Sequence, residues 1–534
     1  MRSFSFMQQF FKRFPWLSEL ALLLSGALLF ALAFPNFAYR WGFGFLAYFC
    51  LIPVFLLIRR IGYGKSVVYG LLYGYISYTL FNFWLAKFNP VSFVVVPMIY
   101  GVYFMFWFPV FKWADKVFSR WGYLVQVLFW LAYEIFRVQG FLGYSYGILG
   151  YSQYKLTSLI GVADLTGVLG VSLLVIFPSV WIARYLSFRK EEGGGLAQLK
   201  KAAFLTVPGC IYLLILLSSF AYSAMSEVDY SNTPKWRSSL IQHNINAWRS
   251  GLKVYEEALE KLVNISEDAA LENPDVVVWS ETAFVPSITW HDRHRDNREK
   301  FNLVQDLKSF LESQDVPYIL GNNETIAVAG ERKTYNAVLV FDGENIVDTY
   351  HKIHLVPFSE HFPFEKIFPR FYKYILNNGA TFYLHGDEYT VFDMGKVKAA
   401  PLICFEDTFG YLSRNFVREG AQVFVNVTND SWSPAPACSI LHAGMAVFRS
   451  VENRRSMIRA TNGGFTCLID PNGKITHWLE PFTSDHLTVD VPVYDEKETF
   501  YTRTTLIFDR FVMILSVLMG LVLLVKTILA KRSK

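Results

Sequence analysis

The sequence predicts an α-helical membrane domain of about eight transmembrane helices, joined to an α/β domain outside the membrane. Three observations lead there. Hydrophobic residues make up 53% of the 534 positions, aromatics 17% and charged residues only 18%, where a soluble domain carries about 25% charge. The apolar residues gather into long runs with few or no charges. Between about 235 and 495 the runs shorten, charges return, and strand-like stretches alternate with helix-like ones. This composition excludes a disordered chain, a collagen-like repeat and a disulfide scaffold. A net charge of +5 without a basic binding motif does not point to nucleic acid.

The spans follow in order. Residues 16–34 carry one charge, Glu19. Runs 43–58, 66–86, 91–111, 165–183 and 202–223 carry none, and 121–137 carries Glu134 and Arg137 near one end. A last run, 511–525, follows Asp509 and Arg510. Most approach the ~20 residues that cross a bilayer as a helix, and aromatic flanks extend the shorter ones. Basic residues collect on alternate ends: Arg2, Lys12 and Arg13; Arg59, Arg60 and Lys65; Lys112, Lys116 and Arg120; Arg184, Arg189, Lys190, Lys200 and Lys201; Lys526, Lys531, Arg532 and Lys534. The other ends carry only Arg40, Lys87, Arg137 and Lys155. The positive-inside rule then expects both termini in the cytoplasm and the long segment 224–505 outside. A cleaved signal peptide ending at Ala31-Leu32-Ala33 is the competing reading of the first run; it would break the even count of spans. Glu134 and Arg137 read as a buried polar pair or as snorkelling side chains. Glu191–Gly195 reads as a flexible cytoplasmic loop.

In the outer segment, Ser239–Gln242, Asp275–Trp279, Pro317–Gly321, Tyr335–Phe341, Val397–Cys404, Gln422–Val427, Phe465–Asp470 and His486–Val491 read as strands. Helical spacing covers 252–270, 298–313 and 440–456. Turns fall at Asp342-Gly343 and Pro471-Asn472-Gly473. The domain boundaries expected are 1–230, 231–500 and 501–534.

Candidate chemistry gathers at strand ends. Cys404 closes the run AAPLIC and is followed by Phe405, Glu406 and Asp407. Glu281 follows DVVVWS. Lys352 follows the strand-turn-strand segment 335–350. A thiol becomes a nucleophile with a base beside it, and the oxyanion it generates needs a cation or donors. Alone, Cys404 reads more readily as a small buried hydrophobe than as a nucleophile, Glu281 as a surface acid and Lys352 as a solvated charge; their combination carries the argument. Cys50, Cys210, Cys404, Cys438 and Cys467 form no C-x-x-C pair and no zinc spacing. His291 and His294 in HDRHRD fit no common metal site and read as a solvated loop. No metal or soluble cofactor is expected. A Cys438–Cys467 disulfide is compatible with an extracytoplasmic location.

The motifs VVVWSETAF, YHKIHLVPFSEHFPF and LICFED resemble, in order and flanks, the Glu-Lys-Cys triad of the nitrilase (carbon–nitrogen hydrolase) superfamily. LVPFSEHFPF, VTNDSW and MIRATNGGFTCLIDPNGKI, with seven spans before the domain and one after it, resemble its membrane-bound branch, the apolipoprotein N-acyltransferase family. The resemblance implies an α-β-β-α sandwich. It implies Glu281 as general base, Cys404 as the nucleophile that forms a thioester, and Lys352 as the cation on the oxyanion. Glu360 and Glu406 match supporting acids and Asn336 a structural asparagine, in each case either hydrogen-bonding support or direct catalytic work. The implied donor is a membrane phospholipid and the implied acceptor the α-amine of a diacylglyceryl-cysteine on an apolipoprotein, in the last step of lipoprotein maturation. The implied setting is a monomer in the bacterial inner membrane with a periplasmic catalytic domain. Three departures fall on loops: Phe405 where Tyr is usual, Ser433–Cys438 where Phe-Gly is usual, and His243 where Gly is usual.

Residues 361–378 interleave Phe362, Phe364, Phe368 and Phe371 with Lys366, Arg370 and Lys373. An apolar-aromatic face with cations suits a lid on phospholipid; the alternative is a loop packed on its own domain. Two rival functions remain open at this point. One is a membrane-tethered amidase or nitrilase using the same triad on small amides. The other is a non-catalytic scaffold or transporter, which predicts the loss of a triad member, whereas Glu281, Lys352 and Cys404 are all present.

Overall fold

The computed structural model describes residues 14–140, 142–192, 202–328, 330–378, 380–504 and 507–532. The chain divides into a helical unit (Met1–Val138, Tyr144–Ser226 and Thr505–Lys534) and a sheet-based unit (Gln139–Gly143 and Glu227–Thr504).

In the helical unit five helices are long and apolar enough to cross a membrane: Pro15–Ala33, Pro90–Phe118, Val168–Glu191, Ala203–Met225 and Ile507–Arg532. The expected count of about eight is therefore not reached by helices of this kind among the described residues. The run 43–58 is broken into a 3-10 turn, Gly44–Tyr48, and a nine-residue helix, Ile52–Arg60, that starts around Pro53. Proline is tolerated in a first helical turn, where its missing N–H has no partner to lose. The run 66–86 is the helix Tyr63–Phe81, whose Lys65, glycines and tyrosines dilute its apolarity. Gly122–Phe136 has only fifteen residues. Arg2, Lys12, Arg13, Lys200, Lys201, Lys534 and Gly193–Gly195 lie outside the described residues. Glu191 is no loop residue: it sits in the last turn of its helix and accepts from Arg59 Nη2 at 2.9 Å.

Two glycines set the closest helix pair. A Cβ on Gly70 would lie 2.2 Å from the Phe104 carbonyl oxygen, and one on Gly74 would lie 2.3 Å from that of Tyr100. The spacing small-xxx-small lets two backbones touch, which dispersion rewards where lipid supplies no hydrophobic drive. Glu134 and Arg137 are both buried and do not snorkel. Arg137 donates to Tyr100 Oη at 2.7 Å and to Tyr78 Oη, and its guanidinium lies 4.5 Å from the Tyr100 ring centre. Glu134 Oε1 accepts from the Leu149 amide at 3.0 Å.

The sheet unit holds two six-stranded sheets. The first runs β12-β1-β2-β3-β4-β5, from β1 Lys235–Gln242, β2 Val276–Trp279, β3 Tyr318–Val328, β4 Glu331–Phe341, β5 Ile346–His351 and β12 Asp485–Pro492. The second runs β11-β10-β9-β8-β7-β6, from β6 Phe392–Asp393, β7 Lys398–Ile403, β8 Val423–Thr428, β9 Ser456–Thr461, β10 Cys467–Ile469 and β11 Ile475–Trp478. β1, β2 and β3 are parallel, as are β7, β8 and β9. Parallel neighbours need crossovers; helices Leu252–Ala270 and Arg298–Glu312 supply them in the first sheet. Their apolar faces, with Leu262, Val304, Leu307 and Leu311, pack on Val277, Trp279 and Tyr318. Helices Gly410–Arg418 and Pro436–Asn453 lie against the second sheet, and β1 faces β9 across the middle, giving α-β-β-α layers.

β6, β9 and β11 are strands that the sequence pattern does not announce, whereas β5 is the second strand of the expected strand-turn-strand segment 335–350. β9 is the instructive case. The expected helix 440–456 ends instead at Asn453, because Arg454 takes a left-handed φ of +52°. After Arg455 the six residues SMIRAT form a fully buried central strand carrying a buried arginine.

Replacing Gly74 with Ala should separate the two helices and cost about 1–3 kcal/mol, read as a lower thermal midpoint in detergent. Gly64→Ala, where nothing lies within 4 Å of the added carbon, should leave that midpoint unchanged or raise it slightly.

Candidate active site

Glu281, Lys352 and Cys404 each follow a strand and are fixed by local backbone geometry. Beyond β2 the chain turns through Ser280 and Glu281 to Thr282, at φ +47°. A Cβ on Gly321 of β3 would sit 2.2 Å from the Ser280 carbonyl and 2.7 Å from Glu281 Cα, so only glycine admits that turn. Lys352 follows β5, and its amide donates to the Asn336 carbonyl on β4 at 2.9 Å. Cys404 follows β7 with φ +54°. Such a conformation costs a non-glycine residue about 1–3 kcal/mol and persists only where neighbours enforce it. Asn426 of β8 does so, donating from Nδ2 to the carbonyls of Cys404 at 2.9 Å and Leu402 at 3.2 Å.

The fold brings Glu281, Lys352, Glu360 and Asn336 into one hydrogen-bonded cluster. Lys352 Nζ donates to Glu360 Oε1 at 2.8 Å and to Glu281 Oε1 at 3.4 Å. Asn336 Nδ2 bridges the same two oxygens, at 2.8 Å to Glu281 and 3.2 Å to Glu360. Glu281 Oε2 accepts the Asn429 amide at 3.1 Å, and Glu360 Oε2 the Val356 amide at 2.8 Å. Burial alone would push the Lys352 ammonium down; the carboxylates of Glu360 and Glu281 outweigh it and hold the group well above a lysine's ordinary range. Burial, and then the charge of Glu281, push the Cys404 thiol far up, with Lys352 pulling the other way. A thiol so placed rests protonated, and a neighbouring base can activate it.

Glu406 ties two of these segments together. Its Oε1 accepts the amides of Ile353 and His354, each at 2.9 Å, and its Oε2 the Ile403 amide at 2.8 Å. Tyr350 Oη donates to both oxygens, at 3.0 and 3.1 Å. The carboxylate thus clamps the loop after Lys352 to the turn at Cys404. Burial pushes it up to about 7, with the His354 amide and Lys352 opposing. His354 is driven down to about 4 by burial and by Lys352, and stacks on Phe409 at 3.9 Å.

Other expectations fare differently. Phe362 is only 7% exposed, its ring stacked on Tyr372, so it does not face lipid here. Phe364 is half-buried. Phe368 and Phe371 are 55% and 53% exposed, on or beside helix Pro369–Asn377, which has no buried residue. His291 is no solvated loop residue: it is buried on helix Ile288–Arg293, and burial pushes its imidazole down. Cys438 and Cys467 are free, buried thiols, without a disulfide. Phe405 places its ring 5.6 Å from Lys352 Nζ, a cation–π contact that needs no hydroxyl. His243 is buried, and burial drives it down to about 3. Sequence reasoning missed Asn426 and Asn429, which act through backbone groups, and missed a buried ring of Asp407, His442, Asp430 and Arg459. VTNDSW and MIRAT contain three of these residues, but nothing in their spacing shows what they touch.

The Glu406 shift has a testable sign. Its ordinary value is 4.5 and its folded value about 7, so the folded protein keeps a proton that the unfolded chain has released. That contribution to stability is full below about 4.5 and is lost as pH rises through about 7. This share opposes that of His243 and His354, whose lowered values make stability rise with pH, so the thermal midpoint of Glu406→Gln should climb more steeply from pH 5 to pH 8 than that of the wild-type protein. The substitution should also cost about 1–3 kcal/mol at pH 5, since an amide NH2 then faces the Ile403 N–H.

Comparisons with known proteins give a family. The carbon-nitrogen hydrolase family matches residues 239–499, and the apolipoprotein N-acyltransferase N-terminal domain matches residues 25–181. Apolipoprotein N-acyltransferase 1 of Treponema denticola is 39% identical over 499 residues, covering 90% of this chain and 91% of that protein. The apolipoprotein N-acyltransferase of Borreliella burgdorferi is 30% identical over 91% of each chain, and that of Geobacter metallireducens 29% identical over 92% of each. With both family domains present, and with 39% identity to a relative over nine-tenths of its length, the chain belongs to the apolipoprotein N-acyltransferase family.

Proposed function

We propose that the protein transfers a fatty acyl chain from a membrane phospholipid to the α-amine of the N-terminal diacylglyceryl-cysteine of apolipoproteins, through a thioester on Cys404. The observation that carries the reading is the Glu281–Asn336–Glu360–Lys352 cluster beside Cys404, in a chain of this family. Glu281 takes the thiol proton as Sγ attacks the ester carbonyl. The oxyanion forms against the Lys352 ammonium, which Glu360 and Asn336 hold in place. The tetrahedral centre collapses, the glycerol oxygen leaves with the proton from Glu281, and lysophospholipid departs. The acceptor amine then attacks the thioester, gives its proton to Glu281, and expels the Cys404 thiolate, which recovers that proton. An amide has formed and the enzyme is restored. Two like half-reactions share one base and one cation, as a ping-pong transferase requires.

A small-amide hydrolase is the weaker reading, because it has no use for the matched N-terminal helical domain. The setting we propose is the bacterial inner membrane, with the segments 1–230 and 501–534 in the bilayer or cytoplasm and 231–500 on the periplasmic side. Helices Tyr63–Phe81 and Gly122–Phe136 would join the five long ones, and the turn Gly44–Tyr48 continued by helix Ile52–Arg60 would supply a broken one, to make about eight spans. The distribution of Lys and Arg supports both termini lying inside. The protein would act as a monomer. Phe368 and Phe371, half-exposed beside Arg370 and Lys373, suit a segment that rests on lipid as a lid.

Purified protein incubated with phospholipid alone should gain an acyl mass on Cys404 and lose it to an added diacylglyceryl lipopeptide. Cys404→Ala should gain nothing. Absence of an adduct, with turnover of simple amides, would replace this reading with the hydrolase. The double change Phe368→Ala and Phe371→Ala should slow acylation by vesicle phospholipid about tenfold or more while leaving the thermal midpoint in place; an unchanged rate would remove the lid.

A further inference from the structure

We propose that His442 is held as an imidazolium between Asp407 and Asp430, and that its charge offsets these two acids behind Cys404 so that the nucleophile can ionise. His442 lies on helix Pro436–Asn453 and is buried. Its Nε2 is 2.9 Å from Asp407 Oδ1 and its Nδ1 is 3.0 Å from Asp430 Oδ1. A carboxylate only accepts, and a neutral imidazole has one N–H. Two carboxylates on the two ring nitrogens therefore call for two N–H groups. Arg459 of β9 completes the ring: it pairs with Asp407 Oδ2, and its Nη2 lies 3.9 Å from Asp430 Oδ2. Two positive and two negative charges then cancel, which buried ions require.

The ring reaches both reacting groups. Asp407 sits on the 3-10 turn that Cys404 opens. Asp430 adjoins Asn429, whose amide holds Glu281 Oε2. The charges that bear on the Cys404 thiol come from Glu281 after β2, Lys352 after β5 and Asp430 after β8. Those that face His442 come from Asp407 after β7 and Asp430, with Arg459 on β9 behind them. Asp430 also bears on the thiols of Cys438 and Cys467. Without the imidazolium the ring carries a net negative charge next to a sulfur that must become negative, and like charges disfavour that step. His442 touches no substrate; it is a positioning and charge-setting residue. The inference rests on Cys404 being the nucleophile.

The test alkylates the full-length protein in detergent with iodoacetamide across a pH series. Peptide mass spectrometry follows Cys404 alone, and acylation by phospholipid is timed in parallel. His442→Gln should raise the alkylation midpoint by about one pH unit and slow acylation at pH 7 about tenfold, with the KM for phospholipid unchanged. Asp430→Asn removes the opposite charge and should move the midpoint down. His442→Gln combined with Asp430→Asn should return it close to the wild-type position. A packing defect cannot give shifts of opposite sign that cancel. Should His442→Gln not fold, Asp430→Asn and the double variant still decide by sign. Midpoints that stay at the wild-type value in all folded variants overturn the proposal. Cys404→Ala is the separate control: an acyl adduct that survives it defeats the nucleophile assignment, whatever His442 does.

Discussion

The buried ammonium of Lys352 is the constraint around which the sheet unit is arranged. A lone cation in a protein interior is costly, and it stays charged only where carboxylates and further hydrogen bonds surround it. Glu360 and Glu281 supply the charge, and Asn336 ties the two carboxylates to each other from the next strand. Those groups come from the ends of β2 and β5, the middle of β4 and the loop beyond Lys352. The cluster therefore exists only when the first sheet is complete. The thiol arrives from the second sheet, and the Glu406 clamp joins the two by gripping backbone on both sides. Charge placement and sheet register are one problem here.

Much of this was legible in the sequence. Glu281, Lys352 and Cys404 stand out because each follows a strand-like run, and strands end where chemistry can be exposed. Asn336, Glu360 and Glu406 came only with the family resemblance, which supplied their identity and left open how each would act. The structure separates those actions: Asn336 bridges carboxylates, Glu360 holds the lysine, and Glu406 grips amides. What could not be read depends on backbone conformation or on burial of polar side chains. The left-handed Cys404 has no signature in composition. β9 goes unread because Arg459 interrupts its apolar run, and only its ion pairs in the folded protein make that arginine a core residue.

The helical unit shows the same limit from the other side. Apolar runs found the long helices at once, yet a run is not always one continuous helix. Residues 43–58 are uniformly apolar and still break into a turn and a short helix. Arg137 runs the opposite way. It reads as an end-of-helix cation, and it is instead enclosed by tyrosine rings and hydroxyls within the helical unit. Tyrosine suits this task because it offers a π face and a polar tip together.

The left-handed backbone at Cys404 also limits which other amino acids could ever take over its position. A second heavy atom on Cβ makes positive φ more costly, so valine, isoleucine and threonine are disfavoured there, although Thr282 beyond β2 does adopt it at φ +47°. Serine is the closest hydroxyl replacement in size, and it is far harder to ionise than a thiol. Asparagine and aspartate tolerate the conformation but bring no such nucleophile. With Cys404 as the proposed nucleophile, the turn that presents the sulfur thus biases substitution at this position and disfavours a change to another nucleophile.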